Sequence, residues 1–423
     1  MAGHETLPVA GDFSAQESYT CAMSAKADNI DWDGLVGLFR PGSGAMPPKL
    51  AGRDAILDEL SILLNDISKF NRAPAGDAVL YGPRGNGKTV LLSAFENQCE
   101  SKGADVIART PDAIRTEADL AAHLLYDDSL FSQFLEAIRS RAGADLGLGF
   151  ARVTWDNLNQ AERDNYKRRH LVDLLAARCR SAPLVVTLDE AHTLDPEVGR
   201  RLLNASQLAQ RKGARFLLVL AGTPNLRSRL DSMSATFWDR AEVFGIGRLD
   251  AGATSEALVA PLQNYGIDLD EDALEAVITE SQWYPYFIQL WGGALCEALA
   301  ARKSTHIDMA IVEAARPAFT SKKVFYYEKR YEEVRNRDLL DSAKAVADMF
   351  RNERCIDDDI LQKQLASGLS TGSQGVLDVI RDLSHLGFIW KPPASASVEP
   401  GIPSLMDYVL TERQELTGTL RVE

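Results

Sequence analysis

The sequence predicts an α/β protein built on a parallel sheet wrapped in helices. Three observations carry this. Short apolar runs recur at wide intervals, at residues 78–81, 104–109, 183–188, 216–221 and 242–246. Between them apolar residues fall at helical spacing. After Leu249 the strand signal stops and helical segments take over. Strands alternating with helices imply parallel pairing, because parallel neighbours need a long crossover that a helix fills.

Taken in order, residues 1–47 read as a flexible segment, ending in the proline- and glycine-rich run 40–48. Residues 54–70 place Ile56, Leu57, Leu60, Leu63, Leu64 and Ile67 on one helical face. The run 78–81, bounded by Asp77 and Gly82, reads as a buried strand, followed by a glycine-rich turn and a helix over 89–99. Further helices are expected at 117–141 and 159–180, with a glycine-rich loop or hairpin at 143–150. The long spacing from Lys88 to Asp189 makes residues 112–170 an insertion, a place for a partner to bind. A helix at 197–211 separates the third and fourth strands.

Four helices at 254–264, 270–280, 284–301 and 307–319 form a small α domain, and 322–337 reads as a solvated connecting helix with i,i+4 ion pairs. Helices at 339–351, 356–366 and 373–386, a strand at 388–390, a breaker-rich stretch at 391–403 and a last helix from Ser404 follow a winged-helix pattern. The expected domains are a flexible 1–47, an α/β domain 48–250, a helical lid with connecting helix 251–336, and a winged-helix-like domain 337–423.

Composition narrows the class. The 423 residues are 45% hydrophobic and 25% charged, which suits a globular chain of two or three domains. Cys21, Cys99, Cys179, Cys296 and Cys355 form no CxxC pair, so they read as reduced, mostly packed thiols of a cytoplasmic protein rather than a zinc site. The N-terminal residues lack a signal-peptide pattern, and no apolar run approaches the ~18 residues of a membrane span. The net charge of −14 argues against a nucleic-acid binder, since an acidic surface repels phosphate backbones.

The chemistry is concentrated in a few motifs. Gly82-Pro83-Arg84-Gly85-Asn86-Gly87-Lys88-Thr89 matches GxxxxGK[ST], between a strand and a helix. Its glycines let backbone N–H groups turn toward phosphate oxygens, and the helix N-terminus adds partial positive charge. Lys88 is expected at the β- and γ-phosphates of ATP and the Thr89 hydroxyl on Mg²⁺. The third strand ends in Asp189-Glu190, where Asp189 suits the Mg²⁺ and Glu190 suits a general base for the attacking water. His192 completes an Asp-Glu-Ala-His string and reads as a histidine at a helix start near the site.

Thr223 after the fourth strand has two readings, a sensor of the γ-phosphate or lytic water and a helix cap before Pro224, with the sensor favoured. Arg240 is either a finger reaching a neighbouring subunit's nucleotide or a surface arginine. Pro285 fits a first helical position or an adenine contact.

Together these motifs resemble the AAA+ ATPases of the origin-recognition type and the related STAND ATPases, in order from Leu50-Ala-Gly-Arg53 to the C-terminal helices. The Ala221-Gly-Thr-Pro224 string with a following arginine also resembles transposition-regulator ATPases. The resemblance implies an AAA+ sheet of order 5-1-4-3-2, a helical lid, a C-terminal winged helix and ATP hydrolysis with Mg²⁺. The third lid helix opens Trp283-Tyr-Pro-Tyr-Phe-Ile-Gln289 without the second-sensor arginine of origin-recognition proteins. It resembles the STAND pattern, where Gly-x-Pro touches adenine, with Trp283 in place of the glycine.

Three functions are in competition. The favoured one is a conformational switch or assembly ATPase acting on protein partners, with an ATP-dependent homo-oligomer as a further expectation and no membrane role. The second is a DNA-associated ATPase working through the winged helix. The third is a nucleotide-binding protein that hydrolyses little. From Arg337 onward nine Lys/Arg face fourteen Asp/Glu, whereas a groove-reading module should be basic. The basic and aromatic run 321–337 could stack on a strand of nucleic acid, but its glutamates favour a linker helix.

Overall fold

The computed structural model describes residues 30–42, 44–115, 171–172, 175–176, 178–234, 236–368 and 373–411. The expected insertion and its helices and hairpin lie almost wholly outside these. The chain divides into two compact units: residues 52–248 with 326–423, and residues 1–51 with 249–325.

The first unit is built on a five-stranded sheet. Its strands are β1 (Ala78–Tyr81), β2 (Asp105–Arg109), β3 (Leu184–Leu188), β4 (Phe216–Gly222) and β5 (Glu242–Gly245). They run parallel in the order β2-β3-β4-β1-β5, the expected 5-1-4-3-2 read from the other edge. β1, β3 and β4 are buried along their whole length, which explains their uninterrupted apolar sequences. Around them pack helices α1 (Asp54–Ser68), α2 (Lys88–Ser101), α3 (Pro196–Arg211) and α4 (Asn225–Met233). Because all five strands are parallel, Gly82, Asp189, Thr223 and Ile246 emerge at one edge of the sheet.

At the opposite edge Asp77 fastens three elements. Its carboxylate accepts hydrogen bonds from Ser206 Oγ of α3 at 2.7 Å, Gln210 Nε2 of α3 at 2.7 Å and the Leu218 N–H of β4 at 3.0 Å. Burial pushes its pKa up to about 6, against the lowering effect of those donors.

The C-terminal part of this unit holds α5 (Leu340–Met349), β6 (Ile356–Asp357), α6 (Asp358–Gly368), α7 (Ser373–His385), β7 (Ile389–Trp390), β8 (Ser397–Pro400) and α8 (Leu405–Leu410). The three short strands form an antiparallel sheet of order β6-β8-β7. β8 falls in the breaker-rich stretch 391–403. It is a short strand in which Val398 and Pro400 face inward, and Pro400 is its last residue. Residues 337–423 were expected to form a domain of their own, yet they share one compact unit with the sheet. The reason is visible in Trp390, which is buried in the same apolar cluster as Val79, Val186 and Leu218 and lies 6.0 Å from the ring of Tyr81.

The helix Met309–Arg335 runs on through the expected linker and is not simply solvated. Tyr327 is buried with its ring 5.4 Å from Tyr408, and Tyr331 lies 5.8 Å from the same ring. Ion pairs do form, at i,i+3 spacing, between Arg330 and Glu333 and between Arg335 and Glu332.

The second unit carries the helices Ala251–Asn264, Glu271–Ser281 and Pro285–Arg302, the start of Met309–Arg335, and the paired strands Asp268–Leu269 and His306–Ile307. Part of the segment read as flexible also belongs here. Residues Trp32–Val36 form a short helix capped by Asp31, and Leu35 and Phe39, four positions apart, are both buried. The polar and glycine-rich surroundings hid that pair. Among the described residues no helix is long and apolar enough to cross a membrane, and Cys99, Cys179 and Cys296 are buried thiols while Cys355 is exposed.

Asp77→Ala leaves buried donors on Ser206 and Leu218 without an acceptor, so it is expected to cost about 3 kcal/mol of stability, measurable by urea denaturation of the two proteins.

Candidate active site

The loop 82–87 turns sharply between β1 and α2. Gly82 has no room for a side chain, since a Cβ there would lie 2.2 Å from the Ile246 carbonyl oxygen at the end of β5. Gly87 caps α2 with φ of +83°, in the left-handed region that favours glycine. These two constraints aim the first N–H groups of α2 at the sheet edge, where the helix dipole favours an anion.

Lys88 opens α2 with its side chain buried, and its ammonium donates to the Pro83 carbonyl at 2.7 Å. Burial brings its pKa down to about 8, while Glu190 and Asp189 hold it up and Arg84 and Arg53 lower it further. The Thr89 hydroxyl donates to Asp189 Oδ2 at 2.6 Å, joining the start of α2 to the end of β3. The phosphate loop and the acidic pair therefore meet at one place. Asp189 Oδ1 also accepts the Glu190 N–H at 2.8 Å, and Glu190 itself takes a left-handed φ of +52°. That turn leads into the 3₁₀ segment Ala191–Thr193, and the Glu190 side chain stays about half exposed.

Asn86 Oδ1 and Thr223 Oγ1, both buried at this edge, have no protein partner among the described residues. Thr223 lies directly after β4, between the acidic pair and the phosphate loop. Its hydroxyl caps no helix, and its carbonyl accepts from the Leu226 N–H at 2.8 Å. Buried polar atoms without a partner are costly, and a bound ligand supplies the missing partner.

Two supports were not legible as such. Arg53 is buried and its Nη2 donates to the carbonyls of Asn86 at 3.1 Å and Gly247 at 2.6 Å, tying the loop to the end of β5. Arg84 lies 3.9 Å from Glu333 of the helix Met309–Arg335. Each contact joins residues far apart in sequence, so only the start of order near Arg53 was readable.

The structure does not bring Arg240 to this edge. Arg240 sits before β5, where its carbonyl lies against Gly76, at the opposite end of β1 from the phosphate loop. Its guanidinium donates to the Thr236 carbonyl at 3.0 Å. Pro285 belongs to the second unit, at the first turn of Pro285–Arg302. Just before it Trp283 holds φ of +58°, a conformation glycine would take without strain.

A glycine-turned anion cradle, a buried lysine, a hydroxyl paired with an acid, and the sheet order β2-β3-β4-β1-β5 define a P-loop ATPase of the AAA+ class. Residues 49–220 match the AAA ATPase domain family. No curated protein matches the chain. Its fold is similar to that of the Walker-type ATPase PABY2304 of Pyrococcus abyssi, at 18% identity and a TM-score of 0.55, over 88% of this chain and 99% of that one. It is also similar to the ORC2 protein of Aeropyrum pernix, solved as ADPNP and ADP complexes, at 12% identity and a TM-score of 0.51, over 91% of this chain and 100% of that one.

The depressed Lys88 pKa gives a pH dependence. The charged ammonium, which a triphosphate requires, predominates below about 8 and is lost as pH rises through that value in the nucleotide-free protein. ATP affinity, followed with a fluorescent analogue, is expected to be level between pH 6.5 and 7.5 and to weaken steadily above pH 8.

Proposed function

We propose that this chain binds ATP with Mg²⁺ and hydrolyses it as a cytoplasmic conformational switch acting on protein partners. The observation that carries the nucleotide reading is the 2.6 Å contact between Thr89 Oγ1 and Asp189 Oδ2. Both are hard oxygens of the kind Mg²⁺ takes, so Thr89 and Asp189 would hold that ion. Bound there, Mg²⁺ would neutralise charge on the β- and γ-phosphates. Backbone N–H groups of residues 84–89 hold phosphate oxygens, and the Lys88 ammonium exchanges the Pro83 carbonyl for them. Glu190 orients the attacking water and takes its proton. The Thr223 hydroxyl donates to the γ-phosphate or that water, which satisfies its orphaned oxygen. Positioning and charge neutralisation supply most of the rate enhancement.

Pro285 is assigned to the adenine, as in the STAND pattern. Arg240, exposed and remote from its own phosphate loop, is assigned as a finger for the nucleotide of a second copy in an ATP-dependent assembly.

The C-terminal helices α5, α6 and α7 with strands β6, β7 and β8 are read as a winged helix used for protein contact. Its would-be recognition helix supports this. Arg381 of α7 is paired with Asp378 at 2.7 Å and with Asp382 at 3.5 Å, and His385 Nε2 is within 3.2 Å of Ser228 Oγ in α4. A helix whose cation is neutralised and whose end is engaged offers little to a phosphate backbone. The alternative is a DNA-associated ATPase, which the resemblance of the motifs to origin-recognition ATPases favours.

Lys88→Ala is expected to abolish ATP binding. Glu190→Gln is expected to keep ATP affinity within about threefold of wild type while lowering turnover at least ~100-fold, as for loss of a general base. A wild-type protein without turnover would favour simple nucleotide binding. Gel shifts with duplex DNA and ATP at 50 and 200 mM salt are expected to show no strong complex, and a tight, salt-sensitive one would establish the DNA reading instead.

A further inference from the structure

His192 lies outside the machinery assigned above, yet it is the side chain placed against the catalytic acid. Its Nε2 is 3.5 Å from Glu190 Oε2. Glu190 is half exposed on a left-handed turn, so its carboxylate has several rotamers available toward solvent. The imidazole is only 9% exposed and its backbone is fixed on both sides. On one side Ala191 and Leu194 are buried. On the other, α4 packs on the 3₁₀ segment, and Arg229 Nη2 of α4 donates to the Leu194 carbonyl at 2.9 Å. A rigid donor beside a loose acceptor selects one orientation of the acceptor.

We propose that His192 is a positioning residue for Glu190: its Nε2–H holds the carboxylate in the rotamer that faces the lytic water. This rests on the reading of Glu190 as general base. Burial and the neighbouring Arg84 and Lys88 charges keep the ring neutral, with a pKa brought down to about 4. A neutral ring that donates from Nε2 carries a bare Nδ1. That atom is buried without a partner among the described residues, as is the Nε of Arg229, whose charge the ring feels. The neutral ring thus acts through one N–H and exchanges no proton with the substrate. The 3.5 Å separation is long for a hydrogen bond, and such contacts tighten in the substrate complex.

Steady-state kinetics and ATP-analogue binding of four variants test this. His192→Leu fills the volume without a donor; it is expected to lower kcat 10–100-fold with KM and ATP affinity within threefold. His192→Gln carries an N–H near the position of Nε2 and is expected to return kcat to within fivefold of wild type. Adding His192→Leu to Glu190→Gln is expected to leave the residual rate unchanged, because the acid it positions is gone. Wild-type kcat in His192→Leu, equal loss in the Leu and Gln variants, or a multiplied loss in the double variant would each overturn the proposal. If His192→Leu does not fold, His192→Asn takes its place: its N–H sits nearer the backbone, so it should be slow where Gln is fast, and equal rates overturn the idea. A Glu190→Gln protein with full turnover would instead remove the general-base reading on which the proposal stands.

Discussion

Burial of β1, β3 and β4 on both faces is the constraint on which the site depends. These strands can satisfy their backbone only by pairing with one another, and helical crossovers force the pairing to be parallel. Parallel pairing brings every strand's C-terminal end to the same edge. The phosphate loop, the acidic pair and Thr223 then converge without any of them being adjacent in sequence. The contact of Thr89 with Asp189 spans 100 residues and is a direct result of that register.

The edge so formed is electrostatically unfinished. It buries an ammonium whose pKa has been pulled down, and it buries the oxygens of Asn86 and Thr223 without protein partners. A core built for stability alone would have paired or excluded these groups. The opposite edge shows the contrast. There Asp77 is equally buried, but three donors meet its carboxylate, and it fastens α3 and β4 to the start of β1. One edge is closed by its own side chains, while the other is left for a highly charged ligand.

The C-terminal helices belong to the same packing problem. Trp390 completes the apolar cluster beside Tyr81, the last residue of β1, and the ring of Trp238 stands edge-on to Tyr81 at 5.4 Å. α4 touches both regions: Arg229 holds the Leu194 carbonyl behind the acidic pair, and Ser228 meets His385 of α7. The residues that follow β3 and the C-terminal helices are thus held by neighbouring positions of one short helix.

The five strands, the helices after Leu249 and the C-terminal helices were legible because each is a local periodicity with a single solution. The motif 82–89 and the pair Asp189-Glu190 were legible because their chemistry fixes residue type and spacing. The packing of Leu35 and Phe39 was hidden by polar neighbours, and the burial of Tyr327 by the glutamates around it. By itself the sequence determined the kind of fold and the ligand class, since apolar period and glycine geometry are properties of short segments. The tertiary structure alone decided that Arg53 braces the phosphate loop, that Thr223 caps nothing, that Arg240 stands at the far end of β1, and that His192 faces Glu190. Each of these is a relation between segments that meet only after the sheet has closed, and no local pattern encodes a distance.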